Sequence, residues 1–183
     1  MNPTKTIIAV TGMPGSGKAV ASSLARTYGI PVFVCGDVVR EEALTRKLPP
    51  TPENLGSLML KIREEDGPDV VAERLIPKIK KIQSNTVVVE GLRSLSELQL
   101  LKDNFKVKLL AVHSPPDQRF QRLIRRGRSD DPKSLEEFVQ RDHRELAVGV
   151  GAVIALADKL IVNDSTLGSF KQEISRFYKE VPT

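Results

Sequence analysis

Aromatic side chains make up only 4% of the 183 residues and tryptophan is absent, so aliphatic side chains must fill the interior. Cysteine occurs once, at Cys35, which excludes an internal disulfide and a cysteine-built zinc cluster and suits a reducing compartment. The two histidines, His113 and His143, are far apart in the chain with no cysteine cluster beside them. They read as a strand-end residue and a helix-surface residue, not as metal ligands. No apolar run approaches the ~20 residues of a spanning helix, and the run after Lys5 is too short for a signal segment, so the expected location is the cytoplasm. Internal repeats and low-complexity segments are missing as well.

What remains is an ordinary folding composition, 40% hydrophobic and 28% charged, at a length that suits one α/β domain. The net charge of +5 favours anionic partners: nucleotides, nucleic acids or acidic surfaces. Seven arginines lie between Arg119 and Arg144, but Asp130, Asp131, Glu136, Glu137 and Asp142 interleave with them, so the stretch is not a polybasic tail. No aromatic-rich basic strand points to single-stranded nucleic acid, and nucleic-acid binding rests on charge alone.

The patterning alternates strands with helices. Thr6–Thr11, Ile30–Cys35, Thr86–Glu90, Lys106–His113 and Lys159–Val162 are short runs rich in β-branched residues. Helices are expected from Gly17 to Tyr28, from Gly36 to about Lys47, and from Pro52 to Glu65 behind a Thr51 cap. A further helix should run to about Ile82, kinked or divided at Pro77. Others are expected over Leu95–Lys102, from Pro115-Pro116 to Arg126, after a capping box at Ser134–Glu137, and over Leu167–Lys179. Gly149 and Gly151 should interrupt the helix that follows Ser134. This order predicts a five-stranded parallel sheet covered on both faces, with ligand sites at the carboxyl ends of the strands.

Gly12, Met13, Pro14, Gly15, Ser16, Gly17 and Lys18 match G-x-x-x-x-G-K, with a strand before and a helix after. The glycines let backbone N–H groups point at phosphate oxygens, the helix start adds positive potential, and Lys18 reaches the outer phosphates. The next residue, Ala19, stands where the motif expects a Ser or Thr hydroxyl on Mg²⁺. Two readings follow. Either the metal is held by waters and carboxylates and transfer survives, or nucleotide is bound with little or no transfer.

Val87–Glu90 is an apolar strand ending in a carboxylate, so Glu90 is a candidate to hold a magnesium-bound water, and Asp37 is a second candidate to orient the acceptor or the metal's waters. Asp37 and Arg40 share a helix face after the second strand, and Arg93 follows the third; they are candidates for an acceptor carrying an anionic group. Arg122, Arg126, Arg128 and Arg141 belong to a segment that reads as a lid, supplying cations to a transferring phosphoryl group and excluding water. Within it, helical spacing directs Phe120, Leu123 and Ile124 toward the core.

GMPGSGK, GDVVREEA, VVVEGLRS, AVHSPPDQRFQRLIRRGRSDD and ALADKLIVND resemble an archaeal family of P-loop proteins related to adenylate kinase and dephospho-CoA kinase. The likeness spans Thr6 to about Phe170. It implies a nucleoside-monophosphate-kinase-like fold with an acceptor-side segment at about 36–82 and a lid at about 119–144. It implies ATP and Mg²⁺, donor phosphates on Gly12–Lys18 and acceptor phosphate on Arg40 and Arg93. Lid or near-lid roles would fall to Arg122, Arg126, Arg128 and Arg141, and Asn163 would lie near the donor adenine.

Residues 47–82 do not follow the adenylate-kinase acceptor domain. The expected activity is γ-phosphoryl transfer from ATP to a small nucleotide-type acceptor such as AMP, with Lys18, Asp37, Glu90, Arg126 and Arg128 closest to the chemistry. Phosphorylation of dephospho-CoA, with Asp37 as base, is a second reading. A sensing protein without turnover is a third, because of Ala19. A GTPase is disfavoured, since no N-K-x-D element is present.

Overall fold

The computed structural model describes residues 5–181. Five strands form one parallel sheet: β1 (Thr6–Thr11), β2 (Val32–Val34), β3 (Thr86–Glu90), β4 (Lys106–His113) and β5 (Lys159–Val162). Their order is β2-β3-β1-β4-β5. β1 is central, with Val10 level with Glu90 on one side and with Leu110 on the other. The chain leaves β1 for one half of the sheet and returns for the other, so the crevice beyond Thr11 is a topological switch point.

The strands alternate their burial between two cores. Ile7, Ala9, Val87, Val89 and Leu109 face one layer, built from α2 (Cys35–Thr45), α3 (Pro52–Asp66), α4 (Val70–Lys81), α5 (Leu95–Asn104) and α8 (Val150–Ala155). Ile8, Val10, Val88, Leu110 and Val112 face α1 (Lys18–Thr27) and α9 (Leu167–Glu180). The scarce aromatics concentrate in the second layer, where Phe170, Phe177 and Tyr178 all come from α9. Two helices stand over the carboxyl end of the sheet: α6 (Pro116–Arg126) and α7 (Leu135–Val148).

Several local expectations need correction. β2 is confined to Val32–Val34, because the Ile30 N–H closes α1 on the Ala25 carbonyl at 3.1 Å and Cys35 already opens α2. Pro77 does not divide α4, which runs continuously from Val70 to Lys81. Burial of Val71, Leu75, Ile76 and Ile79 on both sides of the proline outweighs the missing N–H. Gly149 ends α7 and opens α8 at φ 114°, whereas Gly151 lies inside α8.

The cap at Ser134 is half a box: its hydroxyl accepts from Glu137 N–H at 3.2 Å, but the Glu137 carboxylate accepts from Lys133 instead. The complete capping box is at Ser94 and Glu97, at the start of α5. On α6, Leu123 is buried as expected while Ile124 is exposed, and Arg119 is 4% exposed. That face of α6 rests on backbone carbonyls and a carboxylate, so the buried surface is polar and apolar periodicity misassigns it.

Candidate active site

The chain leaves β1 at Thr11 and re-enters regular structure at Lys18. Gly12 has φ 140° and Gly17 φ 114°. A β-carbon at Gly12 would collide with the Val112 carbonyl of β4, and one at Gly17 with the Asn163 amide. Neither position tolerates a side chain, so the loop lies tight against the sheet end, the shape that brings backbone onto a phosphate.

Two buried side chains hold the loop from behind. Asn163, just after β5, donates from Nδ2 to the Ser16 carbonyl at 2.8 Å. Its own carbonyl accepts from Ser114 Oγ at 2.7 Å and from Arg122 at 2.9 Å. Arg119 donates to the Pro14 carbonyl at 3.2 Å and forks onto both oxygens of Asp142 on α7 at 2.9 and 2.6 Å. Its guanidinium also lies 4.9 Å from the centre of the Phe138 ring. One arginine thus ties the loop, α6 and α7 together.

Lys18 is folded over the loop, donating to the carbonyls of Gly12 at 2.6 Å and Met13 at 3.0 Å. Burial lowers its pKa to about 8, against an upward pull from Glu90 and Glu145. Among the described residues its hydrogen-bond partners are neutral carbonyls, and a phosphate would supply a full counter-charge.

Above the loop lies a cavity of about 240 Å³. Lys18 and six arginines (Arg40, Arg93, Arg122, Arg126, Arg128 and Arg141) line it against three carboxylates, Glu90, Asp130 and Glu145, so it favours a polyanion. Gly12, Pro14, Gly15, Gly17 and Ala19 also line it, whereas Met13 and Ser16 do not. A smaller cavity of about 90 Å³ adjoins it. The two share Gly36, Arg40, Arg93, Asp130, Arg141 and Glu145. The smaller one continues between α2 and α3, past Val39, Leu55, Gly56 and Met59.

The arginines differ in their partners. Arg93 pairs with Glu145 at 2.5 Å. Burial pushes the Glu145 carboxyl up, but Arg93, Lys18 and Arg141 outweigh it and hold the group below the usual carboxylate range. Arg126 forks onto Asp131, with one arm at 2.9 Å. Arg141 donates to the Asp130 carbonyl at 2.7 Å and stands 3.5 Å from the Asp131 carboxylate. Arg40 bridges Asp37 at 2.9 Å and Asp130 at 3.3 Å. Among the described residues Arg122 meets neutral acceptors alone, including Ser114 Oγ at 2.8 Å and Gln118 at 3.0 Å. Arg128 stands exposed at the cavity rim.

Lys18, Ala19, Glu90 and all six arginines singled out in the sequence therefore converge on one cavity. Asp37 does not: it is exposed, paired with Arg40, and outside the lining of both cavities. Ala19 brings no hydroxyl to the cavity. One turn along α1, the buried Ser22 donates its hydroxyl to the Glu90 carboxylate. Among the described residues, no group of three or more His, Cys, Asp or Glu side chains is placed to hold a metal ion. The donor set therefore fits a metal carried on nucleotide phosphates with Glu90 beside it, and not one held by protein ligands alone.

Sequence reading missed Arg119, Ser22 and Glu145. Glu145 was detectable, since it lies four residues after Arg141 on one helix face. Arg119 was not, because a buried arginine carries no local signature. No helix among the described residues is long and apolar enough to cross a membrane.

The AAA domain family matches residues 11–139. A UPF0200 protein of Pyrococcus abyssi is 49% identical over 180 residues, 96% of each chain. Another, from Hyperthermus butylicus, is 52% identical over 172 residues, 94% of this chain and 92% of its own. Among solved structures, TT1252 from Thermus thermophilus superimposes over the whole of both chains with a TM-score of 0.63 at 20% identity. The shikimate kinase from Bacteroides thetaiotaomicron does so over 96% of both with a TM-score of 0.60 at 16% identity. These two likenesses concern the fold alone. With half of its residues shared along nearly its whole length, the chain belongs to the archaeal UPF0200 proteins, an AAA-domain family on a P-loop kinase-like fold.

Proposed function

We propose that this protein is an ATP-dependent phosphotransferase that moves the γ-phosphoryl group to a nucleotide-type acceptor such as AMP. One observation carries the reading: the phosphate-loop cavity and the α2–α3 cavity meet at a shared set of arginines, Arg40, Arg93 and Arg141. That is the arrangement needed to hold a donor and an anionic acceptor end to end.

In this reading the loop from Gly12 to Lys18 holds the donor phosphates, and Arg122 flanks them. Arg40, Arg93 and Arg141 clamp the acceptor. Arg126 and Arg128 face the transferring group, where charge spreads over its equatorial oxygens. Mg²⁺ arriving on the phosphates would neutralise charge, and Glu90 would hold one of its waters. The attacking acceptor oxygen forms the new P–O bond while the bond between the γ-phosphorus and the bridging oxygen breaks, its electron pair leaving with ADP.

A phosphate acceptor fits these residues better than a hydroxyl acceptor such as that of dephospho-CoA. A hydroxyl must lose a proton to a base. Asp37, the candidate base, lies outside the cavity lining; Asp130 and Glu145 are engaged by arginines, and Glu90 already accepts the Ser22 hydroxyl. A phosphate oxygen needs no deprotonation. Asp37 is then a positioning residue that orients Arg40.

The test is incubation with Mg-ATP and, separately, AMP, other nucleoside monophosphates and dephospho-CoA, with products resolved by chromatography. Formation of a nucleoside diphosphate supports the reading, and transfer to dephospho-CoA alone would replace it with the hydroxyl-acceptor one. ATP binding without transfer to any acceptor would favour a sensing role, with Ala19 as its cause.

A further inference from the structure

α3 carries a glycine in its interior, Gly56, where alanine would make the better helix. The space that a β-carbon would take is occupied by the guanidinium of Arg144 on α7, whose Cζ would lie 2.8 Å from it. Arg144 is half-buried and lines the small cavity at the end away from the phosphate loop.

Its electrostatic situation differs from that of its neighbours. Arg40, Arg93 and Arg141 each meet a carboxylate. Arg144 makes no ion pair and no guanidinium hydrogen bond among the described residues. Glu53 feels its charge, after the stronger hydrogen bonds of its own helix start, but stands beyond ion-pair distance. Val39, Leu55 and Met59 give the cavity its aliphatic lining, and no aromatic ring is among the described residues that line it. A half-buried cation with an empty hydrogen-bonding fork, on the wall of a cavity already lined by Arg40, Arg93 and Arg141, is a receptor for an anion.

We infer that Arg144, seated on Gly56, is a specificity-determining residue that binds a second anionic group of the acceptor, so that the acceptor carries anions at two separate points. This inference rests on the two-substrate reading above and narrows its substrate class. One anion lies among Arg40, Arg93 and Arg141 and receives the phosphoryl group; the other lies on Arg144.

The test compares AMP with adenosine 3′,5′-bisphosphate, a pair differing by one phosphate, by calorimetric titration of the whole protein. Wild type is expected to bind the bisphosphate at least ten-fold more tightly. Arg144→Met should reduce that ratio to near one, and Arg144→Lys should restore part of it. Gly56→Ala is the second variant: the added methyl displaces only the guanidinium, so the melting temperature should hold or rise while the ratio falls. A rise in melting temperature on adding Mg-ATP checks that each variant is folded. Binding of both compounds with a ratio indifferent to Arg144 and Gly56, or a wild-type preference for AMP, overturns the inference and leaves the two-substrate reading standing. Binding of Mg-ATP with neither adenosine compound bound overturns both.

Discussion

Asn163 donates to the Ser16 carbonyl at 2.8 Å, so the loop after the last strand of the sheet sets the shape of the loop after the first. Both residues are buried. Asn163→Ala removes the partner of an enclosed carbonyl, at a cost of about 1–3 kcal/mol. For a domain of this size each kcal/mol is worth ~2–4 °C of melting temperature. The variant should melt several degrees lower, and Mg-ATP should raise its melting temperature less than that of wild type. Differential scanning calorimetry with and without nucleotide checks both; an unchanged response to nucleotide would show that the loop holds its shape without this bond.

Lys18 has a pKa lowered by burial to about 8 from an ordinary 10.5. A base depressed in the folded state binds fewer protons there than in the unfolded chain, so this group adds stability as pH rises from about 8 toward 10.5 and costs stability below. Lys18→Met should therefore not lower the melting temperature of the nucleotide-free protein at neutral pH, while abolishing its rise with Mg-ATP. A bound phosphate raises the lysine pKa again. Nucleotide binding at about pH 8.5 should then take up protons, measured by titration calorimetry in buffers of different ionisation enthalpy. No proton uptake would mean that the lysine does not meet the phosphates.

Arg93 and Glu145 form a buried pair at 2.5 Å. Glu145→Gln leaves the guanidinium without its carboxylate and should cost about 3–5 kcal/mol. Because the folded pKa of Glu145 is depressed, its contribution is present above the unfolded value of 4.5 and is lost as pH falls through the folded one. Acid unfolding followed by circular dichroism should accordingly be shallower below about pH 4.5 in the variant than in wild type.

Ala19 lines the phosphate cavity without a hydroxyl. If metal positioning limits transfer, Ala19→Ser should raise turnover by about tenfold or more, with little change in nucleotide affinity. Steady-state kinetics on the acceptor identified by the product screen decides it. Unchanged turnover would mean that Glu90 and water already position the metal well enough.

The amino-acid sequence by itself determined the strand–helix alternation, the phosphate loop, and the residues that gather over it. Those signals are local: β-branched runs, a cap before a proline, a glycine pattern between strand and helix, each acting within a few residues. Only the tertiary structure decided that Arg119 is buried and Ile124 exposed, that α4 runs through Pro77, and that Asp37 stands outside the cavity. It also decided that Glu145 meets Arg93 and that Arg144 lies on Gly56. The physical reason is common to all of these. The environment of a buried polar group, or of a helix carrying a proline, is set by segments distant in the chain, and their burial and charge energies exceed the local preferences that sequence patterns report.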